Sequence, residues 1–137
     1  MKKLLNVGFL CLLFLFVLSG CGKAEQGDVK KGKNWNYTVV PVQDCPKDFL
    51  KEIEKKKVNE LQMTYEDGTY LYIAVGYGEQ STGGYSIKVQ GLYEKGQDLC
   101  IETSLIGPDE DAVVRQKASY PYIIVKTERT EKNIEFI

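Results

Sequence analysis

Four cysteines, nine tyrosines and no histidine set the limits on the chemistry open to this chain. Without an imidazole there is no ordinary general base near neutral pH, no middle member for a Ser-His-Asp or Cys-His pair, and no commonest transition-metal ligand. A non-catalytic role is the expectation. The run Gly76-Tyr77-Gly78-Glu79-Gln80-Ser81-Thr82-Gly83-Gly84-Tyr85 is the richest local feature. As a dinucleotide fingerprint it fails, because Ser81 stands where the third glycine is needed. As a phosphate loop it has the glycine spacing from Gly78 to Gly83, but Gly84 occupies the place of the required lysine. What remains is a long connection between strands whose glycines permit positive φ and close backbone approach. Such a connection is either a hairpin loop held by its own backbone or a loop that inserts into a partner's groove. Three adjacent acids, Asp109, Glu110 and Asp111, follow Gly107-Pro108 but lack the alternating ligand spacing of a calcium loop, so a solvated turn is expected. No metal and no cofactor is implied.

The amino terminus carries chemistry of another kind. Met1-Lys2-Lys3 is a short positive segment, and residues 4–18 are apolar except for Asn6 and Gly8. That run has the length of a signal h-region and is short for a bilayer span. It ends in Leu18-Ser19-Gly20-Cys21, which resembles the bacterial lipobox, where the cysteine is acylated through sulfur and becomes the new first residue. Two acyl chains anchor a protein stably, whereas one myristoyl-length chain binds with an association constant of only about 10⁴ M⁻¹. Residues 1–20 therefore read as a signal peptide, Cys21 as the lipidation site, and the protein as membrane-anchored outside the cytoplasm. Residues 21–34 contain one β-branched residue, Val29, and no aromatic, and read as a flexible tether. Lys30, Lys31 and Lys33 either touch anionic headgroups or keep the tether solvated. Cys11 departs with the signal, leaving Cys45 and Cys100. In an oxidising location these two are compatible with one disulfide or with two buried free thiols. The formal charge is −1, and Lys2 and Lys3 leave with the signal, so nothing is built to neutralise phosphates and nucleic acid is excluded as a partner.

The elements that must position these residues read as strands around one helix. With 43% hydrophobic and 27% charged residues the composition is that of a globular protein, and residues 35–137 are expected to form a single β-rich domain. Residues 35–40 read as a first strand that Pro41 closes. Pro46 suits a first helical turn, with Asp44 as a nearby cap and Asp48 inside the turn. Phe49, Leu50 and Ile53 share a face that the Lys57 stem could extend, so an amphipathic helix is predicted from Pro46 to about Val58. Asp67-Gly68 between residues 61–65 and 70–75 is a strong hairpin signal. Further strands are predicted at 85–93, 99–105, 120–126 and 133–137, with residues 95–98 turning the chain between the first two. The fold class is mainly β (α+β): one helix on a twisted antiparallel sheet of five to seven strands, curled towards a small sandwich or barrel. In Tyr120-Pro121-Tyr122 the proline lacks a donor and belongs at a strand start or edge. The flanking tyrosines add amphipathic surface near the glycine loop, of a kind common in protein interfaces.

At that loop the sequence resembles a family. Residues 78–87, Gly-Glu-Gln-Ser-Thr-Gly-Gly-Tyr-Ser-Ile, and the later Ala118-Ser119-Tyr120-Pro121-Tyr122-Ile123-Ile124-Val125 are similar to the core of the PrcB family of protease complex subunits, small bacterial lipoproteins with a Thr-Gly-Gly-Tyr loop and a Tyr-Pro-Tyr strand. The likeness covers residues 70–137. The family pattern often has proline before the threonine, where this chain has Ser81; the change alters loop stiffness, not chemistry. The resemblance implies a non-catalytic accessory lipoprotein of a surface protease complex, with the membrane and a surface or secreted protease as partners. On that reading Gly78, Ser81, Thr82, Gly83, Gly84, Tyr85, Tyr120, Pro121 and Tyr122 form the protein-binding site. The loop pair is also similar, over a few residues, to that of chagasin-type cysteine protease inhibitors, which implies insertion into a protease cleft. The alternative is a structural or small-ligand-binding envelope lipoprotein, with residues 70–75 lining a hydrophobic or sugar-stacking groove.

Overall fold

The computed structural model describes residues 30–137. The signal peptide, Cys21 and most of the tether expected from sequence lie outside the described residues. Two sheets and one helix stack in three layers. The strands are β1 (Thr38–Val39), β2 (Glu60–Glu66), β3 (Tyr70–Tyr77), β4 (Ser86–Lys95), β5 (Asp98–Ile106), β6 (Tyr122–Glu128) and β7 (Ile134–Phe136), and the helix is α1 (Lys47–Lys56). A four-stranded antiparallel sheet runs β1-β6-β3-β2, and a three-stranded sheet runs β4-β5-β7. The described residues form an open sandwich with no closed barrel.

β3 explains the layering. Tyr72 and Ala74 face α1, where they pack with Phe49, Ile53, Leu61 and Ile124. Leu71, Ile73 and Val75 face the second sheet, meeting Leu92, Leu99, Ile101 and Val125. A strand covered on both faces loses the apolar–polar alternation of a half-exposed one and reads as the continuous run Leu-Tyr-Ile-Ala-Val. Burying a side chain such as Ile53 or Ile73, each 0% exposed, contributes about 1.5–3 kcal/mol. The α1 face adds aromatic contacts, with Phe49 and Tyr65 stacked at 5.4 Å between ring centres.

Several expectations need correction. The sheet is not wholly antiparallel, because β7 runs parallel to β5. The link from β6 to β7 crosses between sheets instead of folding back as a hairpin, so nothing imposes reversal. The predicted strand at 35–40 is divided: Trp35 donates its N–H to the Leu92 carbonyl at 2.8 Å, and only Thr38–Val39 joins β6. The chain thus crosses from one sheet edge to the other. The end of the expected tether is paired as well, since Gly32 N–H donates to the Glu94 carbonyl at 2.7 Å and Glu94 N–H to that of Lys33 at 3.0 Å. Asp44 does not cap α1. It sits in a short 3-10 turn, Val42–Asp44, while the Pro46 carbonyl accepts the first helical bond from Leu50 at 3.0 Å. Lys57 is half-buried just past the helix and directs its ammonium to Glu54 Oε2, 2.6 Å away.

Cys45 and Cys100 are both buried free thiols. Cys45 lies in the helix-side core, whereas Cys100 alternates with the inward Leu99 and Ile101 and so faces the outer side of the second sheet. Two sheet layers separate them, and a disulfide needs Cα atoms within about 7 Å. Burial and the Glu135 carboxylate, which accepts from the thiol at 3.2 Å, push Cys100 up to about 11.

Candidate functional site

β3 and β4 are joined by residues 78–85, and β5 and β6 by residues 107–121. These two connections lie side by side and hold each other. Gln80 N–H donates to the Ser119 carbonyl at 2.8 Å and Ser119 N–H returns the bond to Gln80 at 3.0 Å. Gly83 N–H donates to the Arg115 carbonyl at 2.9 Å, and the Ser119 hydroxyl donates to the Thr82 carbonyl at 2.6 Å. Tyr77 N–H reaches the Pro121 carbonyl at 3.1 Å, and Glu79 N–H reaches Val58 at 3.1 Å, beyond the end of α1. The irregular backbone therefore finds its partners without a regular ladder.

The glycines divide by role. Gly78, φ +71°, is buried, and a Cβ there would lie 3.1 Å from the Glu60 nitrogen. Gly84, φ +86°, sits under the other connection; a Cβ would lie 2.7 Å from Val114 Cγ1 and 3.0 Å from Pro108 Cβ. Both are needed for close approach in a left-handed conformation. Gly83 has no such constraint, since an added Cβ would rest at an ordinary 3.5 Å from Arg115 Cβ.

A polar ladder ties this loop pair to α1. The Tyr120 hydroxyl donates to Glu79 Oε2 at 3.0 Å, and the Tyr122 hydroxyl donates to Glu54 Oε1 at 3.0 Å. Lys57 Nζ stands between them, 2.6 Å from Glu54 Oε2 and 5.8 Å from the centre of the Tyr120 ring. The Lys57 ammonium holds Glu54 below the usual carboxylate range, while burial and the Glu54 carboxylate push Tyr122 up to about 12. The hydroxyls of Ser119 and Thr82 are spent on the backbone carbonyls of Thr82 and Gly83, at 2.6 Å and 3.0 Å.

Residues 71–128 match the family model described as PrcB C-terminal. That match supports assignment of this segment to the PrcB family. No curated protein and no solved structure matches the chain. The PrcB segment begins at the second residue of β3 and ends with the last of β6, so it holds both connections and the strands that carry them. Helix α1, β2 and β7 lie outside it. The helix-side half of the polar ladder, Glu54 and Lys57, is therefore supplied by residues beyond the matched segment.

The structure brings the sequence-predicted site residues together, but not all at the surface. Ser81 and Gly84 are exposed, and Thr82, Gly83, Tyr85 and Tyr120 are half-buried. Gly78 lies inside, and Tyr122 packs its ring against the helix-side core. Pro121 ends the irregular connection, and β6 starts at Tyr122, not at Tyr120, because residues 119 and 120 serve the glycine loop instead of the sheet. In the strand at 70–75, Tyr72 is buried under α1 with its hydroxyl on Asp67 at 3.1 Å and Tyr70 stacks beneath Lys126 Nζ at 4.6 Å, while Val75 and Leu71 each line a groove that Phe136 shares. Sequence reasoning passed over Val113, Val114 and Arg115. Their signal was present, an Ala-Val-Val run between acidic and basic residues with no strand to account for it.

Proposed function

We propose that the protein is a membrane-anchored extracytoplasmic lipoprotein that acts as a non-catalytic docking module, an accessory subunit of a protease complex. The match of residues 71–128 to the PrcB C-terminal family model supports the class of protein. The observation that carries the docking role is the mutual clamping of the two connections, which holds Ser81, Thr82, Gly83 and Tyr120 in one preorganised patch. Preorganisation lowers the entropic cost of association, which is what an interaction surface needs. The absence of histidine from the whole chain and the commitment of the loop hydroxyls to carbonyls favour contact over turnover. Cys21 is the proposed lipid attachment point, and among the described residues no helix is long and apolar enough to cross a membrane.

Gly83 is the place to test this reading, because its backbone is not left-handed and a Cβ there would meet Arg115 only at ordinary contact distances of 3.5 to 3.8 Å. Full-length protein would be recovered from membranes in wild-type and Gly83→Trp form. Wild type is expected to retain a protease, and the variant to lose it about tenfold or more, as when a large side chain obstructs a packed interface. Equal recovery by both forms removes the loop from the contact. Separately, Cys21→Ala is expected to move the protein from the membrane to the soluble extracytoplasmic fraction.

A further inference from the structure

Beside the exposed glycine loop stands a residue with no structural task. Val113 is 104% exposed, while the other exposed large hydrophobic residues among those described reach at most 52%. Its backbone is nevertheless held on both sides: Ala112 N–H donates to the Asp109 carbonyl at 3.0 Å, and the Arg115 carbonyl accepts from Gly83 at 2.9 Å. Val114 packs over Gly84, so the next residue along turns inward as Val113 points out. A β-branched side chain loses little rotamer freedom when it is buried in a complex. Fixed in the open, it is an anchor without a socket.

The charged residues that line the groove beside it are both cationic, while the exposed acids Asp109, Glu110 and Asp111 precede Val113 in the chain outside that lining. A groove of about 540 Å³ is lined by Val113, Arg115, Lys117, Ser119 and Tyr120 together with Gly83 and its neighbours, and no carboxylate is among its lining residues. Arg115 and Lys117 form no ion pair among the described residues, whereas Lys31, Lys55 and Lys57 lie within 2.7 Å of carboxylates. Two unpaired cations lining a concavity favour anionic groups there.

We infer that this groove receives an acidic segment of a partner protein, and that Val113 enters a small aliphatic pocket on the same partner. The inference rests on the docking role proposed above and names the chemistry of what docks. A lipid surface fits less well, because one valine beside a concave groove offers little apolar area to a bilayer, and interfacial binding needs an extended apolar face.

The test uses the full-length chain in the membranes of cells that express it, with a benzoylphenylalanine photo-crosslinker replacing Val113. Irradiation is expected to join the protein to one polypeptide, with the attachment peptide, identified by fragmentation, flanked by Asp and Glu. The double variant Arg115→Glu with Lys117→Glu is expected to reduce this adduct about tenfold, and raised salt to weaken the wild-type adduct. A thermal midpoint unchanged by the charge reversal, as expected for surface positions, separates lost docking from lost folding. In the chain without the crosslinker, Val113→Ser should also lose the partner, while Val42→Ser, at a 48% exposed valine elsewhere, should retain it. An adduct with lipid, no adduct, or an adduct indifferent to charge reversal overturns the inference. If Gly83→Trp abolishes recovery of the partner and the charge reversal does not, the docking role stands and this inference falls; if neither does, both fall.

Discussion

β3 is entered and left through glycine-containing connections that are built in opposite ways. At its start the Asp67-Gly68 turn closes on itself: Asp67 Oδ1 accepts from the backbone N–H groups of Thr69 and Tyr70 at 2.9 Å and 2.8 Å, and Oδ2 accepts from the Tyr72 hydroxyl at 3.1 Å. Each partner lies within five residues of the carboxylate. At its end, residues 78–85 are held by Val58, Arg115 and Ser119, which are remote in the chain. Gly68 and Gly84 share nearly the same backbone region, φ +94° and +86°. Around Gly68 an added Cβ would meet nothing within 4 Å, whereas at Gly84 it would collide with Val114 and Pro108. The first glycine satisfies a local dihedral, the second a tertiary contact. The connection that depends on tertiary contact is also the one that bears the proposed docking surface.

Substitutions at these two glycines should separate the two kinds of constraint. Gly84→Val combines backbone strain with a steric clash and is expected to cost about 3 kcal/mol, read as a lowered denaturant midpoint. Hydrogen-exchange protection at Gly83 and Ser119 should fall with it. Gly68→Ala meets open space, so only the left-handed backbone opposes it, at about 1–2 kcal/mol. If the two cost the same, the distinction drawn here is lost. Ser119→Ala removes the bond to the Thr82 carbonyl and should cost about 1 kcal/mol, with faster exchange in both connections and none in the Asp67 hairpin.

A smaller effect, visible as a pH dependence, belongs to Asp67. The backbone N–H groups of Tyr70 and then Thr69 hold its carboxyl below the usual range. A depressed folded-state pKa means that the stabilisation is complete above the ordinary carboxylate value of about 4 and is lost as pH falls through the folded value. The midpoint difference between wild type and Asp67→Asn should therefore shrink on acidification; a gap constant from neutral pH into strong acid would show that the carboxylate contributes nothing there. The smallest stability effect is expected at Gly83→Ala, within about 0.5 kcal/mol of wild type. A near-neutral result there, set against loss of docking by Gly83→Trp, would make the comparison sharpest.

The same division marks what could be read before the fold was seen. The hairpin at Asp67-Gly68, the helix after Pro46 and the strands β4 to β7 were legible to within a few residues, because each is written in periodicity and turn residues that neighbour one another. The nearness of the glycine loop to Tyr120 was legible too, and the Gln80–Ser119 pairing bears it out. That Gly78 is buried and that the Tyr122 ring packs against the helix-side core was not legible, because both facts arise from packing against β2 and α1. The division of residues 35–40 between two sheets and the parallel pairing of β7 were equally hidden, since strand propensity says nothing about which edge a strand joins. Val113 was overlooked for a related reason: an apolar pair in a loop is indistinguishable from a buried one until the exposure of each member is known.

The amino-acid order by itself determined the secondary elements, the lack of imidazole chemistry and the residues of the glycine loop, all of which follow from side-chain type and spacing along a short stretch. Only the tertiary structure decided that two sheets would part Cys45 from Cys100, that two connections would lock together, and that one valine would remain outside. Those outcomes depend on contacts between residues far apart in the chain. They form only when the apolar faces of β3 are covered from both sides, and no local signal encodes which distant segments will do the covering.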